Sequence, residues 1–152
     1  GPGVDWLVEH AAQNRIRSLQ CFGFQPFEVL PDVLGSADVL VAILEPDAGV
    51  FSVPSKVLSY LCAGRPLLLA VPKVNLAAKI VSSIGAGPVV EPTDISAFCA
   101  SAQKLIDSPK HRDECAKAAR SYAEAHFDIR LIGDQFEAIL ADSVPAPAAA
   151  AD

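Results

Sequence analysis

Two stretches of this chain, DVLVAIL (38–44) and PLLLAV (66–71), hold continuous apolar runs, and GPVVE (87–91) holds a shorter one. Uninterrupted runs of about 4–8 apolar residues predict strands covered on both faces, as in a parallel sheet. RSLQCFGF (17–24) reads as a further short strand ending at Gly23. Between these runs the apolar positions switch to helical spacing. GPGVDWLVEHAAQNR predicts a helix reached through a Gly/Pro turn, and LPDVLGSA a short second one. VPSKVLSYLCAGRP predicts a helix with Pro54 in its first position, where the missing N–H has no partner to lose, and Gly64 as a left-handed stop. NLAAKIVSSIG is closed in the same way by Gly85. Further on, Asp94 is placed to cap ISAFCASAQKLID, and Ser108 followed by Pro109 starts a helix that runs to Phe127. IRLIGDQFEAIL is the last. Strands alternating with helices in this order imply βαβ units, hence an α/β fold with a parallel sheet and helices on both faces.

Composition narrows the picture. The 152 residues are 51% apolar and 20% charged, a folded globular balance of single-domain size. The net charge of −6, without any Lys/Arg run, argues against nucleic acid as a partner. No apolar run approaches the ~20 residues of a membrane span. Cys21, Cys62, Cys99 and Cys115 are widely spaced, form no C-x-x-C pair, and read as buried reduced thiols of a cytoplasmic protein. The end, SVPAPAAAAD (143–152), reads as a disordered Pro/Ala tail after one domain over 1–142. The opening GPG, with no strand before the first helix, suggests a domain lacking its first strand; Gly-Pro reads equally as the scar of a protease cut.

Ligands of parallel α/β sheets sit beyond the carboxyl ends of the strands. The loop after DVLVAIL is the longest such connection and the default site. It leads into a helix whose first turn carries Lys56, although a cation is unfavourable at the positive pole of a helix. An arriving anion would reverse that balance. Free amides of the first turn, the hydroxyls of Ser52 and Ser55, the Lys56 charge and the close backbone approach allowed by Gly49 together make a seat for phosphate. Other polar residues take plainer readings. His10, His111 and His126 read as surface or capping groups, Asp113 and Glu114 as a solvated face, Thr93 as a turn residue beside Glu91, and Trp6 as core or covered surface.

The run FGFQPFEVLPDVLGSADVLVAILEPDAGVFSVPSKVLSYLCAGRP, with IGAGPVVEPTDISAFCASAQKLIDSP and RSYAEAHFDIRLIGDQFEAIL after it, resembles the C-terminal domain of GT-B glycosyltransferases of the large retaining group 1 (family 4). The likeness covers nearly the whole chain up to its tail. It implies a Rossmann-like domain that binds a UDP- or GDP-linked sugar as substrate, with no cofactor and no obligatory metal. By that likeness the base sits against Phe22, Gly23, Phe24 and Pro26, and the diphosphate and sugar lie on Gly49, Val50, Phe51, Ser52, Ser55 and Lys56. The family's Glu-x7-Glu pair would fall at Phe51 and Ser59, so Ser59 stands where a carboxylate meets the ribose. A serine offers that ribose only a neutral hydrogen bond. The likeness further implies an N-terminal acceptor-binding domain outside this chain, a role in polysaccharide assembly, and a full enzyme that can associate peripherally with a membrane. It assigns no catalytic residue to these 152 residues and leaves them inactive alone. It also implies that IRLIGDQFEAIL looks oddly apolar without a partner domain. Two rivals stay open: a non-catalytic, decayed nucleotide-binding or interaction domain, and a GT-B-fold UDP-sugar epimerase.

Overall fold

A computed structural model describes residues 2–47 and 54–143. The chain forms two compact units, Gly1–Asp32 and Val33–Asp152. The residues read as a tail lie, from 144 on, outside the described residues.

In the first unit, α1 (Pro2–Gln13) ends at Arg15, a non-glycine residue at φ 56°, and the Ile16 N–H closes back on the Ala11 carbonyl. The segment RSLQCFGF forms no strand. A lone strand leaves every backbone group without a ladder partner, and residues 17–26 have irregular, exposed backbone up to a 3-10 turn at Phe27–Val29. Trp6 is exposed and stacks on His10 across one helical turn, with ring centroids 4.8 Å apart, so it is not a core residue. A short α2 (Leu30–Gly35) follows.

The second unit holds β1 (Leu40–Ile43), α3 (Ser55–Ala63), β2 (Leu67–Ala70), α4 (Leu76–Ile84), β3 (Val89–Val90), α5 (Ile95–Asp107), α6 (Pro109–His126) and α7 (Ile129–Ser143). The three strands lie in the order β1-β2-β3, all parallel, with Leu40 opposite Leu67 and Leu69 opposite Val89. This is the Rossmann-like α/β arrangement that the alternation predicts. Among the described residues there are three strands where about four were expected, since RSLQCFGF forms none.

β2 is central and buried along its whole length, as a run without polar residues requires. Leu67, Leu69 and Val71 pack with Val57 and Leu61 of α3, Ala77, Ala78 and Val81 of α4, and Ala119 and Ala123 of α6. Small alanines on α4 and α6 let these helices approach closely. β1 departs from the expectation of two covered faces: it is an edge strand, and Val41 and Ile43 are exposed while Leu40 and Ala42 are buried. Gly87 sits at φ 150° and carries the chain so close to β2 that a Cβ there would lie 1.8 Å from the Leu67 carbonyl oxygen.

The helix ends follow the sequence closely. Asn75 caps α4 through the Ala77 N–H at 2.9 Å, Asp94 caps α5 through Ala97, and Ser108 caps α6 through His111. Gly64 and Gly85 close α3 and α4 in the left-handed conformation. α7 exposes Ile129, Leu131, Phe136 and Ile139. The thiols correct the expectation of burial: Cys21, Cys62 and Cys99 are exposed, and only Cys115 is buried.

Candidate functional site

β1 delivers the chain to its carboxyl end at Leu44, and after Pro54 the chain turns into α3. Pro54 serves as N-cap (φ −64°, ψ 106°), one residue earlier than the sequence suggested, so Ser55 and Lys56 open the helix. A proline has no side-chain acceptor to offer. In contrast to α4, α5 and α6, the first turn of α3 therefore has no side-chain cap among the described residues. The Val57 N–H turns back to the Pro54 carbonyl at 2.9 Å. Among the described residues no side chain caps the opening amides of α3, where the helix carries its partial positive charge.

Burial fixes the orientation of the helix. Val57 and Leu61 face the core, so Ser55, Lys56 and Ser59 lie together on the exposed side. The i, i+3 and i, i+4 spacings put Lys56 and Ser55 one turn from Ser59 on a shared face. Among the described residues neither Ser55 nor Lys56 has a side-chain hydrogen bond or ion pair. The structure thus brings together three of the residues singled out from sequence. Gly49, Val50, Phe51 and Ser52 lie outside the described residues. Phe22, Gly23, Phe24 and Pro26 belong to the first unit, where all four are exposed.

The loops after β2 and β3 form the rest of the rim. The Lys73 N–H donates to the Glu91 carboxylate at 3.3 Å and ties the two loops together. Asn75 is buried, with its amide oxygen occupied by the α4 cap. Among the described residues, no group of three or more His, Cys, Asp or Glu side chains is placed to hold a metal ion. No helix among them is long and apolar enough to cross a membrane.

Sequence reasoning missed how the far end of α3 is secured. The Arg120 guanidinium of α6 donates through Nη1 to the Cys62 carbonyl at 2.8 Å and through Nε to Glu124 at 2.7 Å. Arg65 donates to the Gly35 carbonyl. Tyr60 Oη donates to the Val41 carbonyl at 3.3 Å, and partial burial pushes its phenol pKa up. Arg120 also lines a cleft of about 260 Å³ with Cys62, Ala123, Glu124, Phe127 and Asp128. No motif announces these contacts, since Arg120 and Cys62 are 58 residues apart.

The chain is 26% identical over 137 residues, 90% of its length, to the Escherichia coli protein named as a colanic acid biosynthesis glycosyl transferase, WcaI. It spans about a third (33%) of that relative's length. No family model and no solved structure matches the chain. The likeness to WcaI, distant but covering most of the chain, supports a glycosyltransferase relationship.

Proposed function

We propose that this chain is the nucleotide-sugar-binding half of a retaining GT-B glycosyltransferase, and that the first turn of α3 takes the donor's diphosphate. The observation that carries the reading is the start of α3, without a side-chain cap among the described residues, after a parallel strand, with Ser55 and Lys56 exposed on it. The glycosyltransferase relationship gives that geometry its chemical context. Free amides and one lysine charge would stabilise the negative charge on the departing diphosphate, an electrostatic role that needs no proton transfer. Ser59, one turn further on, would offer the ribose a neutral hydrogen bond in place of a charge-assisted one, so nucleotide affinity is modest. The sugar moved would be a hexose or amino sugar, passed to a saccharide or lipid-linked acceptor bound elsewhere in a longer protein.

Calorimetric titration with UDP, GDP and inorganic pyrophosphate tests this directly. Lys56→Ala should weaken all three by about tenfold, the loss of roughly 1.4 kcal/mol expected for one charge-assisted contact. Ser59→Glu should tighten UDP or GDP but not pyrophosphate, because only the nucleotides carry ribose hydroxyls. The absence of any binding by the wild-type chain at millimolar concentration would sink the proposal.

A further inference from the structure

The last turn of α3 is held by side chains from its neighbours, and its first turn is not so held among the described residues. Its first turn has exposed Ser55 and Lys56 and no side-chain cap among the described residues, whereas its last turn is locked. Gly64 closes the helix at φ 60°, and the Arg120 stem lies against it, so that a Cβ at Gly64 would sit 3.2 Å from the Arg120 Cβ. From there the guanidinium reaches the Cys62 carbonyl, one of the last carbonyls of α3 that no helical N–H can satisfy. Glu124, one turn along α6, holds the same guanidinium through Nε. The cation therefore rests on the negative pole of the helix whose positive pole is the candidate anion seat. Tyr60 adds a second tether, from the same helix to the Val41 carbonyl of β1.

We propose that Arg120 is a positioning residue for anion binding at the opposite end of α3. It does not touch the ligand. It fixes the axis of the nine-residue helix from behind and offsets the negative pole, so the opening amides keep their aim and their positive potential when an anion binds. The inference rests on the reading of α3 as a diphosphate seat. A fork-shaped guanidinium suits the task because it can hold Glu124 and the Cys62 carbonyl at once, which a lysine ammonium on a flexible stem does less well. Because Arg120 is 57% exposed, the effect is severalfold and does not reach orders of magnitude.

The test is pyrophosphate affinity, by calorimetry on the whole 152-residue chain. Arg120→Met keeps the stem beside Gly64 and removes the charge; it should bind pyrophosphate about fivefold more weakly. Arg120→Lys keeps the charge and loses the fork; it should bind about twofold more weakly. Leu105→Ala, in a fully buried position on α5, should lower the melting temperature and leave pyrophosphate affinity unchanged, which separates positioning from general stability. Wild-type affinity in a folded Arg120→Met chain overturns the inference. If that variant does not fold, wild-type affinity in Arg120→Lys overturns it instead. A wild-type chain that binds no pyrophosphate, UDP or GDP overturns the diphosphate reading and this inference together. Binding by wild type with Arg120 variants unchanged overturns this inference alone.

Discussion

Gly64 and Gly87 look alike in the sequence and carry different loads in the structure. Gly64 needs a left-handed φ of 60° at a helix end, and an added Cβ would meet a flexible arginine stem. Gly87 needs both its φ of 150° and the missing side chain, since a Cβ would fall 1.8 Å from the Leu67 carbonyl oxygen on the central strand. Backbone cannot yield there without displacing β2. Gly64→Ala should therefore cost about 1–2 kcal/mol, the usual penalty of a left-handed non-glycine residue. Gly87→Ala should cost clearly more, because strain of about 1–3 kcal/mol is joined by a clash with backbone. Urea unfolding of the two variants reads the difference, and equal losses would contradict this account. Gly64 was legible as a stop because it follows an apolar helical stretch. Gly87 was not, because a close approach between residues 20 apart leaves no local mark.

At the scale of elements, burial separates stretches that composition had merged. DVLVAIL and PLLLAV are both continuous apolar runs, and both were read as covered on two faces. Only β2 is so covered; β1 lies at the edge with Val41 and Ile43 exposed. Apolar content reports that a strand will form, whereas its rank within the sheet depends on what the rest of the chain brings beside it. Leu69→Ala should cost about 2–5 kcal/mol, since the side chain is fully buried and its loss opens a cavity. Ile43→Lys should stay within about 0.5 kcal/mol, as surface changes do. Chemical denaturation of both tests the ranking, and a large loss for Ile43→Lys would show that its face is covered in solution. The same logic explains RSLQCFGF. Its sequence suits a strand, but a strand exists only with a neighbour, and its residues carry none of the ladder. Helix ends were far more legible, because Asn75, Asp94 and Ser108 satisfy amides within three residues of themselves. Three residues of the candidate site were legible for the same reason: Ser55, Lys56 and Ser59 fall within two turns of one helix. Arg120 was not, since tertiary packing alone brings it to α3.

For the whole molecule, one buried thiol links acid–base chemistry to stability. Burial raises the Cys115 pKa, and the Glu114 carboxylate beside it pushes the same way, against smaller opposing effects of Lys104 and a backbone hydrogen bond. The folded chain then keeps this proton at a pH where the unfolded chain releases it. Stability is intact below the unfolded value of about 8.5 and falls as pH rises from there through the raised folded value. Tyr60, also raised by burial, adds a fall of the same sign above about 10. Melting temperatures between pH 7 and 10.5 should therefore decline, and less steeply in Cys115→Ala, whose side chain has nothing to ionise. An unchanged slope in that variant would assign the decline to other groups.

The edge position of β1 has a consequence for how the molecule breathes. The Leu40 N–H donates to the Pro66 carbonyl just before β2 at 2.9 Å and the Leu44 N–H to the Ala70 carbonyl of β2 at 3.0 Å. The pleat directs the amides of Val41 and Ile43 to the other side, where no further strand pairs among the described residues. Along one four-residue ribbon, amides that face β2 and amides that face away thus alternate residue by residue, and on the outer side the Val41 carbonyl takes the Tyr60 hydroxyl. A sheet frays from its edges while its buried central strand holds, and β1, the strand that feeds the start of α3, is one of those edges.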